Sequence, residues 1–507
     1  MLPERLSSAV GRYRVWLALA AGGAASLAFA PAALFPLGIL CPAALFLLWE
    51  GASPREALRA GFAYGAGLFL AGTYWLYIAV HTFGKAPAWL AVFLMLGLVA
   101  IMAAYYGLLG WLAARMLPAS GTVRWLLAMP GAWVLMEWLR GWLFTGFPWL
   151  EAGYSQSDSP LAGLAPVGGV HAVTLACTVS AGAIVALARG GMRERVTAVV
   201  ATVVVWAGSA ALAEHPWTQA SGEPFSVALV QGAVPQDLKW QDENREATLA
   251  LYRRMTEGVL GTRLIVWPEA ALPVLEHEAV PYLSALWVDA RARNSDLVIG
   301  LLRYDFENEK YYNGLVALSD QARWYYKRRL VPFGEFFPVP RVVRHWMRLM
   351  SLPYVDMTPG LESQPPLVAA GQKLGATICY EDAYGSEQLG VLGEATLLVN
   401  ATNNAWFGDS TAPHQQLQMA RFRAREAGRY LVRATSNGIT AIIAQDGTVE
   451  RQARQFVPEV LAGSVRPYTG LTPYAHTGNW PVLLLSCVAL ALGLAARRSR
   501  AAGVEAT

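Results

Sequence analysis

The distribution of apolar residues along the chain is the feature that most constrains its fold. Residues 1–215 and 480–497 consist of long apolar runs, whereas residues 220–470 have the mixed composition of a soluble domain. Only 15% of all residues are charged, while soluble chains carry about 25%. The sequence therefore predicts a membrane domain over 1–215, a water-exposed domain over 220–470 and a C-terminal transmembrane helix over 480–497.

Eight apolar stretches are long enough to cross a bilayer as helices, for which about 18 or more residues are needed. They cover approximately residues 14–30, 33–50, 60–82, 88–114, 124–145, 161–188, 195–213 and 480–496. The first stretch has features of a cleavable signal peptide. However, Pro31 directly follows its end and further spans come at once, which favours its retention.

Basic residues are distributed unequally between the short loops that join these stretches. One set of loops holds thirteen arginines: Arg5, Arg12, Arg14, Arg55, Arg59, Arg115, Arg124, Arg189, Arg193, Arg195, Arg497, Arg498 and Arg500. The opposite set holds only Lys85 and Arg140. Because the loops rich in arginine and lysine stay in the cytoplasm, we predict a multi-pass membrane protein with both termini in the cytoplasm and residues 220–470 on the far side. For the inner membrane of a bacterium, that far side is the periplasm.

Charged residues also occur near the end of one predicted span. Glu137 and Arg140 are three positions apart, so on a helix they can form an ion pair that anchors the helix end at the interface. Charges at membrane depth are also often functional. The sequence leaves both interpretations open.

Residues 220–470 alternate short apolar segments with amphipathic ones, which is typical of a layered α/β fold. Strands are predicted at 225–232, 264–269, 296–302, 312–319, 322–330, 373–381, 396–403, 431–438 and 439–449. Helices are predicted at 243–260, 278–293 and 414–428.

Three residues with chemical potential stand at the ends of predicted strands. Glu269 follows LIVWP, Lys327 follows WYY and Cys379 follows ATI. Because ligand chemistry in open α/β sheets gathers at strand ends, we expect these side chains to meet. Cys379 is the only cysteine of the domain and no C-x-x-C motif is present, so neither an internal disulfide nor a zinc or redox motif is indicated.

This trio suits nucleophilic catalysis of acyl transfer through a thioester. A cysteine attacks as its thiolate, Glu269 can take the thiol proton, and Lys327 can lower the thiol pKa and stabilise an oxyanion. Taken alone, a cysteine that ends a strand is more often a small buried apolar residue. A cysteine–histidine pair is a weaker alternative, because the histidines of the domain belong to no motif with Cys379.

The motifs around the trio resemble the carbon–nitrogen hydrolase (nitrilase) superfamily. They are WPEAA around Glu269, KRRLVPFGEFFP around Lys327 and ICYED around Cys379. With FTGFPW, GYSQ, VQGAVPQDLKW, VNATNNAWFG and the apolar N-terminal half, nearly the whole chain resembles the membrane-bound branch that acylates bacterial lipoproteins. The resemblance implies a multi-span α-helical membrane domain joined to an αββα sandwich.

The resemblance also implies roles for individual residues. It makes Glu269 the base, Lys327 the oxyanion stabiliser and Cys379 the acylated nucleophile. Glu335 and Glu381 correspond to supporting carboxylates, and the predicted substrate-binding aromatics are Trp240, Tyr380, Phe337 and Trp406. The implied donor is a phospholipid, typically phosphatidylethanolamine, and the implied acceptor is the α-amino group of a diacylglyceryl-cysteine of an apolipoprotein. Neither a metal, a cofactor nor a nucleic-acid partner is indicated.

The segment 333–355 is unusually apolar for a soluble domain, with Phe336, Phe337, Trp346 and Leu349 among its residues. Against a membrane it would form a lipid-facing lid, and in a soluble protein it would be a sticky patch. The alternative is a helix packed in the core.

Two other functions remain open from the sequence. A membrane-tethered amidase of the nitrilase type would use the same trio with water as the acceptor, although eight spans exceed what an anchor needs. A non-enzymatic membrane scaffold could keep the fold, but the intact Glu–Lys–Cys set argues against it.

Overall fold

The computed structural model describes residues 4–336 and 356–505. The chain divides into two compact units. One comprises Met1–His215, Asp409–Gln418 and His476–Thr507, and the other comprises Pro216–Gly408 and Met419–Ala475.

The first unit is helical. Its α-helices within the described residues are Glu4–Ala25, Leu37–Leu48, Pro54–Gly72, Trp75–Tyr77, Ala88–Met116, Met129–Arg140, Ala165–Arg189, Met192–Ala213 and Trp480–Glu505. Ile78–Phe83 and Val123–Ala128 are single π-helical stretches, and the short 3-10 helices are Ser26–Ala28, Leu143–Thr145, Ala152–Gln156 and Pro160–Leu164.

Several of these helices are suited to a membrane by length and composition. Four qualify individually, namely Ala88–Met116, Pro160–Arg189, Met192–Ala213 and Trp480–Ser499. A fifth is added if Pro54–Gly72 and Trp75–Phe83, which are bent by 53°, form one broken span. The multi-span helical membrane domain is therefore confirmed, and the number of eight spans stays a prediction.

Glu137 and Arg140 are both completely buried in this unit. The Glu137 carboxylate accepts hydrogen bonds from the Trp133 indole at 2.9 Å and from the Ala152 backbone N–H at 3.0 Å. The Arg140 guanidinium donates to the Phe147 carbonyl oxygen at 2.8 Å. The two side chains thus hold the loop that follows their helix, and satisfying these buried charges with hydrogen bonds offsets part of their desolvation cost.

The segment Asp409–Gln418 belongs to the helical unit although it lies between strands of the other unit in the chain. The buried Gln415 amide oxygen accepts hydrogen bonds from the indole N–H groups of Trp149, at 2.6 Å, and Trp75, at 3.2 Å. Its amide nitrogen donates to the Gly72 carbonyl oxygen at 3.1 Å. One glutamine side chain therefore provides hydrogen-bond partners for two buried tryptophan indoles and for the carbonyl group at a helix end.

Within the described residues, the second unit has fourteen strands, numbered in chain order. They are β1 Gln219–Ala220, β2 Phe225–Gln231, β3 Leu264–Val266, β4 Asp296–Asp305, β5 Lys310–Leu318, β6 Ala322–Tyr326, β7 Leu367–Ala369, β8 Gln372–Ile378, β9 Leu397–Thr402, β10 Leu431–Thr435, β11 Ala441–Ile443, β12 Val449–Gln452, β13 Glu459–Val465 and β14 Tyr468–Thr469. The α-helices are Gln236–Lys239, Asp242–Glu257, Glu276–Ala292, Ala412–Ala427, which continues from the first unit, and Pro473–Thr477. The 3-10 helices are Cys379–Ala383, Gly385–Val391 and Asn404–Phe407.

These strands form two six-stranded sheets of similar design, in the orders β13-β2-β3-β4-β5-β6 and β12-β11-β10-β9-β8-β7. In each sheet three neighbouring strands are parallel, β2 to β4 in one and β8 to β10 in the other, and antiparallel strands flank them. β1 and β14 form a separate antiparallel pair.

The two sheets pack face to face over one apolar core. It unites Val227, Val266 and Val298 of one sheet with Ile378 and Val399 of the other. The opposite face of the first sheet is covered by the helices Asp242–Glu257 and Glu276–Ala292. The αββα sandwich is thereby confirmed.

Candidate active site

The three residues singled out at strand ends come together in the second unit. Glu269 lies three residues beyond β3, Lys327 directly follows β6 and Cys379 directly follows β8. The ammonium nitrogen of Lys327 is 3.2 Å from Glu269 Oε1, and the charges of both residues act on the Cys379 thiol. Carboxyl ends of strands from both sheets thus contribute to one cluster.

Cys379 occupies a strained backbone position. Its φ of +50° lies in the left-handed region, which L-residues other than glycine, asparagine and aspartate seldom adopt. β8 ends at Ile378 and a short 3-10 helix, Cys379–Ala383, begins at once. Strain of this kind persists only where the surroundings enforce it, and it is common at active sites.

Glu381 helps to hold the backbone around Cys379 in this conformation. Its carboxylate is completely buried and accepts hydrogen bonds from the backbone N–H of Ile378 at 2.7 Å and of Arg328 at 2.6 Å. Burial raises the pKa of Glu381 to about 7, and these backbone donors oppose the rise. One carboxylate therefore fixes both the residue before Cys379 and the residue after Lys327, which suits the supporting role predicted for it.

Glu335 forms the second carboxylate contact of Lys327. Its Oε1 accepts from the Lys327 ammonium at 2.9 Å, and its Oε2 accepts from the Val331 backbone N–H at 2.8 Å. The Asn313 side-chain NH₂ also donates to both carboxylates, at 2.7 Å to Glu269 and 3.0 Å to Glu335. One ammonium and one amide therefore bridge two carboxylates that would otherwise repel each other.

Glu269 is held on both of its oxygens. Oε1 faces Lys327 and Asn313, and Oε2 accepts the backbone N–H of Asn403 at 2.8 Å. An oxygen with a single donor retains a lone pair that can take a proton. Oε2 is therefore the atom best suited to serve as a base.

The electrostatics of the cluster favour a neutral thiol at rest. Burial raises the pKa of the Cys379 thiol to about 12; Glu269 and Glu335 add to this rise, whereas Lys327 and Arg433 oppose it. Burial works against the charge of Lys327, but Glu269 and Glu335 raise its pKa well above the ordinary value. The arrangement thus combines a thiol whose pKa is raised, a carboxylate whose charge acts on that thiol and a cation held between two carboxylates.

The predicted substrate-binding aromatics have different positions. Trp240 is 48% exposed and Trp406 is 40% exposed, so both offer apolar surface to a ligand. Tyr380 directly follows Cys379, is partly buried, and shares a 3.1 Å hydroxyl hydrogen bond with Tyr384. Phe337 and the rest of the expected lid, residues 337–355, lie outside the described residues, and the part before them includes the exposed Phe333.

Sequence reasoning missed several polar residues of the cluster. Asn313 and Asn403 bind Glu269, and the Gln236 amide oxygen accepts a hydrogen bond from the Asn403 side chain at 3.1 Å. The buried Arg433, whose charge acts on the Cys379 thiol, pairs with Asp382 at 2.5 Å. Of these residues only Asn403 directly follows a strand, β9, where ligand chemistry gathers. Asn313 and Arg433 lie inside β5 and β10, and no local sequence signal indicates them.

Metal-binding chemistry has no candidate in the part of the chain that the structure describes. Residues 4–336 and 356–505 contain no group of three or more His, Cys, Asp or Glu side chains that could hold a metal ion.

Comparisons with known proteins agree with the two-unit organisation. Residues 21–183 match the family described as apolipoprotein N-acyltransferase N-terminal domain, and residues 226–474 match the carbon–nitrogen hydrolase family. The resemblance to that superfamily inferred from the motifs is thus confirmed. Among solved structures, a Saccharomyces cerevisiae member of branch 10 of the nitrilase superfamily aligns with 49% of this chain and 93% of its own, at 18% identity and a TM-score of 0.37.

Two curated relatives match over almost the whole chain. The apolipoprotein N-acyltransferase of Chromobacterium violaceum is 45% identical over 480 residues, covering 94% of this chain and 92% of the relative. The apolipoprotein N-acyltransferase of Methylococcus capsulatus is 42% identical over 486 residues, covering 96% of each.

Proposed function

The chain belongs to the apolipoprotein N-acyltransferase family, and we propose that it transfers an acyl chain from a membrane phospholipid to the amino terminus of a bacterial apolipoprotein. The observation that carries the proposal is the Lys327 ammonium, which lies 3.2 Å from the Glu269 carboxylate beside the Cys379 thiol. Phosphatidylethanolamine is the proposed donor, and the α-amino group of a diacylglyceryl-cysteine is the proposed acceptor.

The first half-reaction forms a thioester. Glu269 takes the proton from the Cys379 thiol while the sulfur attacks the ester carbonyl carbon of the donor. Lys327 stabilises the oxyanion of the tetrahedral intermediate. When the intermediate collapses, the bond from carbon to the glycerol oxygen breaks, and that oxygen receives the proton from Glu269. The products are a lysophospholipid and acylated Cys379.

The second half-reaction consumes the thioester. The neutral α-amine of the acceptor attacks the thioester carbon, a carbon–nitrogen bond forms and the carbon–sulfur bond breaks. Glu269 takes the proton that the nitrogen loses and returns it to the departing sulfur. Lys327 again faces the oxyanion. The products are an N-acylated lipoprotein and the free thiol.

Acylation of the enzyme in the absence of acceptor tests this sequence of events. Purified enzyme mixed with phosphatidylethanolamine alone is expected to release one equivalent of lysophospholipid and to gain one acyl mass on the peptide that contains Cys379. Addition of a diacylglyceryl lipopeptide should then discharge the acyl chain onto its amino group. Steady release of lysophospholipid without acceptor would instead indicate a hydrolase, and a strict requirement for acceptor before any release would contradict the thioester.

We also propose that residues 220–470 face the periplasm. The proposal rests on the thirteen arginines in one set of loops and the two basic residues in the other. A reporter that is active only in the periplasm should be active when fused after about residue 218 and inactive when fused after Arg500. A cytoplasmic reporter should give the complementary pattern, and reversal of both patterns would overturn the assignment.

A further inference from the structure

A lysine outside the catalytic trio is fastened to the same site. The short helix Gln236–Lys239 follows β2 and is linked to the cluster by a chain of hydrogen bonds. The side chain of Asn403 donates to the Gln236 amide oxygen at 3.1 Å, and the Asn403 backbone N–H donates to Glu269 at 2.8 Å. A displacement of this helix would therefore alter the hydrogen bonds that hold Glu269, the proposed base.

The ammonium of the buried Lys239 has no ion-pair partner among the described residues. The residue is 2% exposed, and within residues 4–336 and 356–505 no ion pair or hydrogen bond of its ammonium is found. Burial lowers the pKa of Lys239 to about 8, although the Glu269 carboxylate acts to raise it. Since that carboxylate is already bound by Lys327, Asn313 and Asn403, it is not available as a dedicated partner.

The other buried cations of the site differ in this respect. Lys327 bridges Glu269 and Glu335, and Arg433 is paired with Asp382. Buried charges are normally paired, because an uncompensated one is costly. An ammonium without an ion-pair partner, close enough to the site for the charge of Glu269 to act on it, is therefore suited to an anion that arrives with the substrate.

The surroundings of Lys239 allow a ligand to approach. Its ammonium nitrogen lies 5.9 Å from the centroid of the Trp240 ring, and that ring is about half exposed. The ammonium thus lies near an aromatic ring whose exposed surface is open to an incoming lipid.

We propose that Lys239 binds the phosphodiester of the donor phospholipid and so selects a phosphate-bearing acyl ester. The inference rests on the function proposed above. In a phospholipid only the glycerol carbons separate the scissile ester from the phosphate, so an ester placed at Cys379 brings its phosphate to the edge of the same site. The amino-terminal acceptor has no phosphate at the corresponding place. Lys239 therefore acts on donor binding and not on acyl transfer to the acceptor.

The test compares two donors that carry the same acyl chain. One is phosphatidylethanolamine in detergent micelles, and the other is the p-nitrophenyl ester, which lacks a phosphate. For Lys239→Met, the phospholipid concentration that half-saturates single-turnover acylation of Cys379 should rise about 10- to 100-fold, as expected for the loss of one charge-assisted hydrogen bond. With the p-nitrophenyl ester the rise should stay below about three-fold.

Two further variants complete the comparison. Lys239→Arg keeps a cation and should restore most of the affinity for phospholipid, whereas a purely structural role would make arginine as harmful as methionine. Lys310→Met removes an exposed lysine of the same unit and should leave the half-saturating concentrations of both donors unchanged.

The outcomes separate this inference from the function on which it rests. If Lys239→Met weakens acylation by both donors equally, or leaves acylation by phospholipid unchanged, the proposed role of Lys239 is wrong. The proposed function would still stand in that case, because the wild-type enzyme acylates itself from phospholipid. Failure of the wild-type enzyme to accept phospholipid, with normal use of the p-nitrophenyl ester, would overturn the proposed donor and the inference together.

Discussion

Replacement of Cys379 by alanine is expected to abolish acyl transfer, with a loss on the order of 10⁴-fold or more. The sulfur is the atom that would carry the acyl chain, and no other cysteine of the described residues belongs to the cluster of Glu269 and Lys327. Serine at position 379 should be nearly as inactive, because a hydroxyl is much harder to deprotonate than a thiol. The measurement is N-acylation of a fluorescent diacylglyceryl lipopeptide, with phosphatidylethanolamine as the donor.

The folded state should survive both substitutions. Alanine and serine have a Cβ atom as cysteine does, so the φ of +50° at position 379 imposes the same strain on all three residues. Cys487→Ala, which alters the exposed cysteine of the C-terminal helix, is the matched control and should retain full activity. Substantial N-acylation by Cys379→Ala, with normal thermal unfolding, would refute the covalent mechanism.

Glu269→Gln should slow formation of the acyl-enzyme by about 10²–10⁴-fold, the usual contribution of a general base. The effect should be large here because burial raises the pKa of the Cys379 thiol to about 12, so that hardly any thiolate exists before the attack. An amide cannot take the proton. The rate is followed by mass spectrometry of the peptide that contains Cys379 after addition of phospholipid.

Lys327→Met should lower the same rate by about 10²–10³-fold through loss of the oxyanion contact. The substitution also leaves Glu269 and Glu335 facing each other without their shared cation, which threatens folding. The double variant Lys327→Met with Glu335→Gln removes one of the two charges, so it should recover stability without recovering activity. Recovery of activity in the double variant would mean that Lys327 serves only to hold the carboxylates apart.

A surface substitution provides the control for this series. Glu394→Gln removes an exposed carboxylate that pairs with Lys373, and such pairs contribute little to stability. It should leave acylation at the wild-type rate. Wild-type thioester formation in Glu269→Gln would show that another group takes the thiol proton.

The parts of the fold that were predictable are those with strong local patterns. β2, β3, β8 and β9 are continuous apolar segments bounded by polar residues, and the structure places all four close to the predicted ranges. The catalytic candidates were found because each stands near the end of a strand: Glu269 lies three residues beyond β3, Lys327 directly follows β6 and Cys379 directly follows β8. Where the chain leaves a buried strand, a polar side chain must find a partner, and the ends of neighbouring strands supply one.

Edge strands were harder to predict. β13, Glu459–Val465, is buried at only two positions, and β12, Val449–Gln452, at none. Both lie at the edges of their sheets, where partial exposure removes the alternation that marks a strand in sequence. The strand predicted over 439–449 consequently merged β11, the turn at Gly447 and the first residue of β12 into one element.

The polar partners of the site could not be predicted for a different reason. Asn313, Asn403 and Lys239 acquire their significance from residues far away in the chain, and a single asparagine or lysine has no local signature. Asn313 lies in β5 and reaches Glu269, which follows β3. Only the strand order of the folded sheet brings the two together.

The raised pKa of the Cys379 thiol has a consequence for its survival between turnovers. Disulfide exchange and oxidation by peroxides require the thiolate, and a thiol whose pKa is about 12 is almost entirely protonated near neutral pH. In the proposed periplasmic location, free cysteines meet an environment that oxidises them. We therefore expect this raised pKa, rather than complete enclosure, to protect the partly exposed Cys379 from oxidative inactivation. In the proposed mechanism the thiol loses its proton to Glu269 only when a substrate ester is in place to be attacked.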